Sequence, residues 1–155
     1  MPAVLPTRDL ADLAGWYSDR RDQWPVTPRF DPGRRWYARI GHAADHEAWL
    51  LTWLPGQHTD LHDHGGSAGA FAVLDGRLTE QLPIGRDEVL LIDRGYGSGA
   101  VRPFGPRHVH RIVNNGPAPA VSLHVYAPAL TRMTRYELVG GRLTVTAVER
   151  EGADW

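Results

Sequence analysis

His62 and His64 are separated by one residue in "PGQHTDLHDHGG", with His58 just upstream. On a strand, residues two apart project to one face, roughly 6 to 7 Å apart at Cα. Two imidazoles so placed can grip one metal ion, but a third donor must come from elsewhere. "RPFGPRHVHRIVNNG" offers His108 and His110, again two apart. Taken alone, a His-x-His pair is more often a surface or hydrogen-bonded pair than a metal site, so its company matters. A zinc-hydrolase reading of "HTDLHDH" fails on spacing, because it needs a histidine at Asp60. His42 and His46, in polar "GHAADHEA", read as solvated loop histidines. Further along, Ser122, His124 and Tyr126 alternate with Val121, Leu123 and Val125, so the polar three share one strand face. Serine, imidazole and phenol in a row could form a hydrogen-bond relay that fixes the Tyr126 hydroxyl. Tyr37 and Arg39 also share a face. A guanidinium inside a pocket needs an anion, and a carboxylate matches its planar fork; an ordinary surface arginine is the plainer alternative.

These groups need a scaffold, and the chain describes one. At 155 residues it can bury roughly two-thirds of its unfolded surface as one domain. A formal net charge of −1 gives no basic footprint for nucleic acid and no polybasic run for a membrane. All 17 basic residues are arginine, which GC-rich coding explains without any function. The lack of cysteine removes disulfides, thiolate zinc sites and cysteine nucleophiles together. No apolar run approaches the roughly 20 residues of a membrane span, and "MPAVLPTRDL" has no signal-peptide pattern. A soluble cytoplasmic protein, and a monomer, are therefore expected.

Helical periodicity is confined to the start, where Leu10, Leu13, Ala14 and Tyr17 fall on one face behind a cap at Thr7 or Asp9. Pro25, Pro28 and Pro32 break it. From Trp36 the chain becomes short extended runs: "HEAWLLTWLP", "GAFAVLDGRLTEQL", "EVLLI", "HRIVNN", "AVSLHVYAP" and "RLTVTAVER". Asp75-Gly76 looks like a hairpin turn between two of them. The expectation is a single all-β domain over 1–155, with a helical lead-in over 1–35 and a small jelly-roll-like β-barrel over 36–150.

The spacing of glycines around the histidines resembles the first cupin motif: Gly56, five residues, His62-x-His64, four residues, then Gly69 in the slot of the usual acid, and Gly76 to close. The second motif places a histidine three residues before an asparagine after Pro-x-Gly. Pro103, Gly105 and Asn114 meet that spacing with His110, whereas His108 is followed there by Ile112. The resemblance therefore makes His110 the third ligand and leaves His108 a weaker competitor, with His58 a loop residue. From about Trp36 to Pro128 the chain resembles the cysteine dioxygenase family, thiol dioxygenases of the cupin superfamily. "TWLPGQHTDLHDH", "HVHRIVN", "AVSLHVYAP" and "WYAR" carry the likeness.

That resemblance implies Fe(II) held by His62, His64 and His110, with L-cysteine and O2 as substrates and cysteine sulfinic acid as product. It implies Arg39, with Tyr37, for the substrate carboxylate, and Tyr126, His124 and Ser122 as catalytic residues, while Trp53 packs the barrel. Three neutral imidazoles leave a dication uncompensated, which favours an anionic thiolate from the substrate. Mammalian members carry a cysteine, cross-linked to the tyrosine, where Gly69 stands, so Tyr126 is expected to be unmodified. The alternatives are a 3-mercaptopropionate dioxygenase, in which a glutamine commonly replaces the arginine, a non-catalytic metal-binding cupin sensor, and a zinc or nickel cupin.

Overall fold

The computed structural model describes residues 7–150. One helix, α1 (Thr7–Ser18), and a 3-10 turn (Arg21–Gln23) precede eleven strands. These are β1 (Trp36–His42), β2 (Glu47–Trp53), β3 (Leu61–His62), β4 (Ala68–Asp75), β5 (Arg77–Ile84) and β6 (Leu90–Gly97). There follow β7 (Val101–Phe104), β8 (Arg111–Val113), β9 (Ala120–Ala127), β10 (Arg132–Val139) and β11 (Arg142–Arg150). Among the described residues no helix is long and apolar enough to cross a membrane.

A five-stranded sheet, β1-β2-β9-β4-β7, carries the fold. β9 lies at its centre and is buried along its whole length, so both of its faces have work to do. Val121, Leu123 and Val125 turn outward beneath α1, where Leu10 and Ala14 are fully buried against Ala48, Ala70 and Ala72. Alanines on the sheet let the helix come close, and each fully buried leucine contributes roughly 1.5–3 kcal/mol. The predicted helix face, Leu10, Leu13, Ala14 and Tyr17, is the face that packs. A cap by Thr7 lies outside the described side chains, and Asp9 sits within the first turn. His46, expected to be solvated, instead meets the Tyr17 hydroxyl at 2.8 Å and Asp45 at 2.8 Å, tying the helix to the β1–β2 hairpin.

The inner face of that sheet opposes two three-stranded sheets, β11-β10-β3 and β6-β5-β8. Trp53, Phe71, Phe104, Ile112, Leu130 and Met133 fill the space between the layers. The two small sheets are joined by bridges between His62 and His110 and between His58 and Val113. Among the described residues no ladder joins them to the large sheet, so the layers form an open sandwich rather than a closed barrel.

Asp75-Gly76 is not a hairpin turn. β4 pairs with β7 and β9, whereas β5 pairs with β6 and β8, so the chain crosses here from one layer to the other. The run of apolar residues along β4 reflects burial on both faces, which two-residue hairpin chemistry does not reveal. Gly76 has φ +75°, and a Cβ there would stand 2.5 Å from the Pro119 carbonyl oxygen. Left-handed strain alone costs about 1–3 kcal/mol for other residues. Gly76→Ala should therefore lower stability by at least that much in urea denaturation. Asp75→Ala, which removes only an exposed ion pair with Arg21, should change it by less than about 0.5 kcal/mol. Equal, small effects would show that the corner tolerates a side chain.

Candidate metal centre

The short strand β3 pairs on one side with β10, where His62 faces Arg135, and on its other side meets His110. His62 and His110 exchange both backbone hydrogen bonds, at 3.0 and 3.1 Å. Two imidazoles from remote segments are thus set side by side by main-chain geometry. His64 lies beyond the strand, so the period-two argument does not place it; the turn does. Asp63, between the two histidines, accepts from the backbone N–H groups of Gly65 and Thr134 and from the Tyr136 hydroxyl, which pins the turn to β10.

The three rings then converge. Their centroids stand 4.8–4.9 Å apart, and one ring nitrogen from each lies within 4.8 Å of the others. The outer nitrogens of two rings are occupied: His62 Nδ1 donates to the Asp60 carbonyl at 2.7 Å, and His110 Nδ1 donates to Glu80 Oε2 at 2.7 Å. That leaves both Nε2 atoms as acceptors facing inward. His64 is fully buried, and neither of its nitrogens has a partner. An orphaned imidazole inside a protein costs about 1–3 kcal/mol per unpaired group unless something binds it. Burial, followed by the neighbouring histidines, presses His62 and His64 well below the ordinary imidazole value, and burial lowers His110 too, against the pull of Glu80. All three are neutral, the form a metal requires. The donor set fits a divalent metal ion.

His108 does not share a strand with His110 and stands in the preceding turn. Its Nε2 donates to Glu80 Oε2 at 2.9 Å. His58 is exposed, with its Nδ1 bonded to the Thr59 carbonyl.

A pocket of about 500 Å³, counting its open mouth, rises over His62 and His110. Tyr37, His124 and Tyr126 line it as the face patterns predict, opposite the apolar Ile112, Leu130 and Met133. The polar row of β9 does point inward, but its hydrogen bonds run differently from a Ser122–His124–Tyr126 relay. Trp53 Nε1 donates to Ser122 Oγ at 2.8 Å, and Ser122 Oγ meets His124 Nε2 at 2.8 Å. Trp53 is accordingly a buried anchor. Burial, with the nearby Glu47, raises the Tyr126 phenol, so it remains a hydrogen-bond donor at neutral pH.

Arg39 is exposed and does not line this pocket; Arg35 does. Arg35, Tyr37 and Arg39 have the same parity, so alternation cannot choose between the arginines. The structure does: Arg39, midway along β1 and beside a bulge, is exposed, while Arg35, just ahead of the strand, lines the mouth. The Arg35 guanidinium lies 5.2 Å over the Trp53 ring. Burial and the adjacent Arg135 both press on its positive charge, a setting that favours an anion. Glu80 was also missed by the motif reading. The signal was an acid alternating with Leu78 and Leu82 in "RLTEQL", an inward position for a charge.

A model of the family described as cysteine dioxygenase type I matches residues 5–138. The chain belongs to the cysteine dioxygenase type I family. Solved structures of low identity share its fold. A double-stranded β-helix protein from Klebsiella pneumoniae has 18% identity over 79% of this chain and 97% of its own, with a TM-score of 0.57. An RmlC-like cupin from Desulfovibrio desulfuricans has 21% identity over 68% and 93%, with a TM-score of 0.53. A protein from Thermus thermophilus has 23% identity over 66% and 90%, with a TM-score of 0.53. Membership of the cysteine dioxygenase family and the histidine cluster together support a metal-dependent, thiol dioxygenase-like oxygenase on a cupin fold. Within this family member Gly69 is enclosed: a Cβ would stand 2.5 Å from the Phe104 ring and 2.6 Å from the Val125 carbonyl oxygen. A cysteine in that slot needs the strands to move apart.

Burial holds His124 down to about 3 from its ordinary 6.5. As pH falls below about 6.5, the unfolded chain gains a proton there that the native state refuses, so stability drops with falling pH. Between pH 7.5 and 5.5 the metal-free native protein should lose about 1.4 kcal/mol more than His124→Phe, measured by urea denaturation. Identical losses would mean that His124 titrates alike in both states.

Proposed function

We propose that this protein oxidises L-cysteine with O2 to cysteine sulfinic acid at an Fe(II) ion held by His62, His64 and His110. The observation that carries the reading is the fully buried His64 with two unpartnered nitrogens, beside two imidazoles whose outer nitrogens are already engaged. Bound Fe(II) would supply Lewis acidity that turns the thiol into a thiolate and one-electron reactivity toward O2. The overall change is balanced without another co-substrate: both oxygen atoms of O2 pass to sulfur, and the thiol becomes a sulfinic acid.

The chain's own groups orient and protect the substrate. Arg35 takes the carboxylate role that the sequence pattern suggested for Arg39, with Tyr37 beside it in the same wall. Its planar guanidinium fork matches the two oxygens of a carboxylate. The Tyr126 hydroxyl, kept protonated, donates a hydrogen bond toward the reacting groups. His124, held by Ser122 and Trp53, keeps the polar wall in place. Leu130, Ile112 and Met133 exclude bulk water from the opposite side. On this reading the enzyme acts as a cytoplasmic monomer on a small free thiol.

Alanine at His62, His64 or His110 should remove most of the iron by elemental analysis, while His108→Ala and His58→Ala retain it. Iron kept by His110→Ala and lost by His108→Ala would reassign the third ligand. Substrate reading has its own test. Truncating one side of a buried charged pair costs about 2–5 kcal/mol, so Arg35→Ala should lose roughly 30-fold or more in kcat/KM for cysteine. Arg39→Ala should stay within about twofold, and cysteamine, lacking a carboxylate, should respond little to either change. A large loss with Arg39→Ala and none with Arg35→Ala would return the role to Arg39.

A further inference from the structure

Glu80 is a charged side chain with no exposure at all, on the inward face of β5. Nothing in the oxidation of a thiol requires it, yet the surrounding chain devotes three donors to it. Oε2 accepts from His110 Nδ1 at 2.7 Å and from His108 Nε2 at 2.9 Å, and Oε1 accepts from Arg102 Nε at 3.1 Å. Three donors on two oxygens, one of them a guanidinium, are the surroundings of a carboxylate. With its oxygens filled by donors, it acts only as an acceptor, which compels His110 to carry its proton on Nδ1.

We propose that Glu80 is a positioning residue and the outer anion of the metal centre. It locks His110 in the tautomer whose Nε2 faces His62 and His64, and it places negative charge one ring away from a cation that three neutral imidazoles cannot offset. Arg102 does not cancel this, because it binds the far oxygen and is partly exposed, whereas the near oxygen faces His110 at the shorter distance. The acid absent from the Gly69 slot is thus replaced in function by one behind a ligand. A hydrogen-bonded carboxylate raises the basicity of a ligating imidazole, and loss of such a partner typically costs about 10- to 100-fold in metal affinity. His108 serves the same carboxylate from its other side. Glu80, His108 and His110 also sit close enough to hold a metal of their own, but the atoms they turn toward one another are engaged in hydrogen bonds.

The inference rests on His110 being a metal ligand, and one experiment separates the two ideas. Fe(II) affinity is measured by chelator competition, and the Fe(III)/Fe(II) midpoint potential by redox titration, for native protein, Glu80→Gln, Glu80→Asp and His110→Ala. Long-range 1H–15N spectra of the metal-free native protein report the His110 tautomer independently of any variant's folding. The expected results are an Nδ1–H tautomer, a roughly 10- to 100-fold affinity loss with a raised potential in Glu80→Gln, and partial recovery in Glu80→Asp. An Nε2–H tautomer in the native protein overturns the proposal. So do unchanged affinity and potential in Glu80→Gln while His110→Ala loses metal, an outcome that leaves the three-histidine centre intact. A second equivalent of metal that disappears with Glu80→Gln would make the carboxylate a ligand instead. Full binding by His110→Ala would remove the centre on which the proposal stands.

Discussion

The reciprocal backbone pair between His62 and His110 governs much of the architecture. Its two hydrogen bonds, with the neighbouring His58–Val113 bridge, join the β3 and β8 segments and so the two small sheets. The same two bonds put the imidazoles in register, so the pairing that builds the second layer also builds the site. His64 is brought in by the next turn, which Asp63 fastens to β10. A slip of one residue at this pair would turn both side chains to the wrong face. Stability and site geometry are therefore one problem here, and all three rings are buried.

Electrostatics follows from that burial. Desolvation favours the neutral form of the three imidazoles, so the cluster can hold a cation without contributing compensating charge. Charge balance has to come from behind the ring of ligands or from the pocket side. Glu80 is proposed to meet the first need and a substrate thiolate the second. Arg35 at the mouth stacks over Trp53, which is itself tied through Ser122 to His124. The polar wall is thus braced as a unit from the sheet interior.

Some of this was legible in the sequence because it depends on local period and spacing. The helix face of α1 and the inward row of β9 are of that kind, while His62, His64 and His110 were picked out by motif spacing although a turn and a long-range pairing bring them together. Other features depend on long-range pairing. Arg35, just ahead of β1, and Arg39 within it have the same parity, and only the folded chain shows that Arg35 lines the pocket while Arg39 is exposed. Asp75-Gly76 has hairpin composition, but which layer accepts β5 is settled by pairing with β6 and β8. β10 was missed because "RMTRYELV" mixes charged residues into a strand that is exposed along much of one side. Glu80 left only the trace of an acid in an apolar phase, and its meaning required knowing that His108 and His110 lie opposite.

The central chemical claim is that a neutral three-histidine centre takes its missing anion from a thiol. X-ray absorption at the iron edge, on anaerobic Fe(II)-loaded protein with and without L-cysteine, tests it directly. Without cysteine the atoms bound to iron should be nitrogen and oxygen alone, with the signature of imidazoles; with cysteine a sulfur scatterer should join them. A coordination sphere that stays free of sulfur at saturating cysteine would contradict the claim.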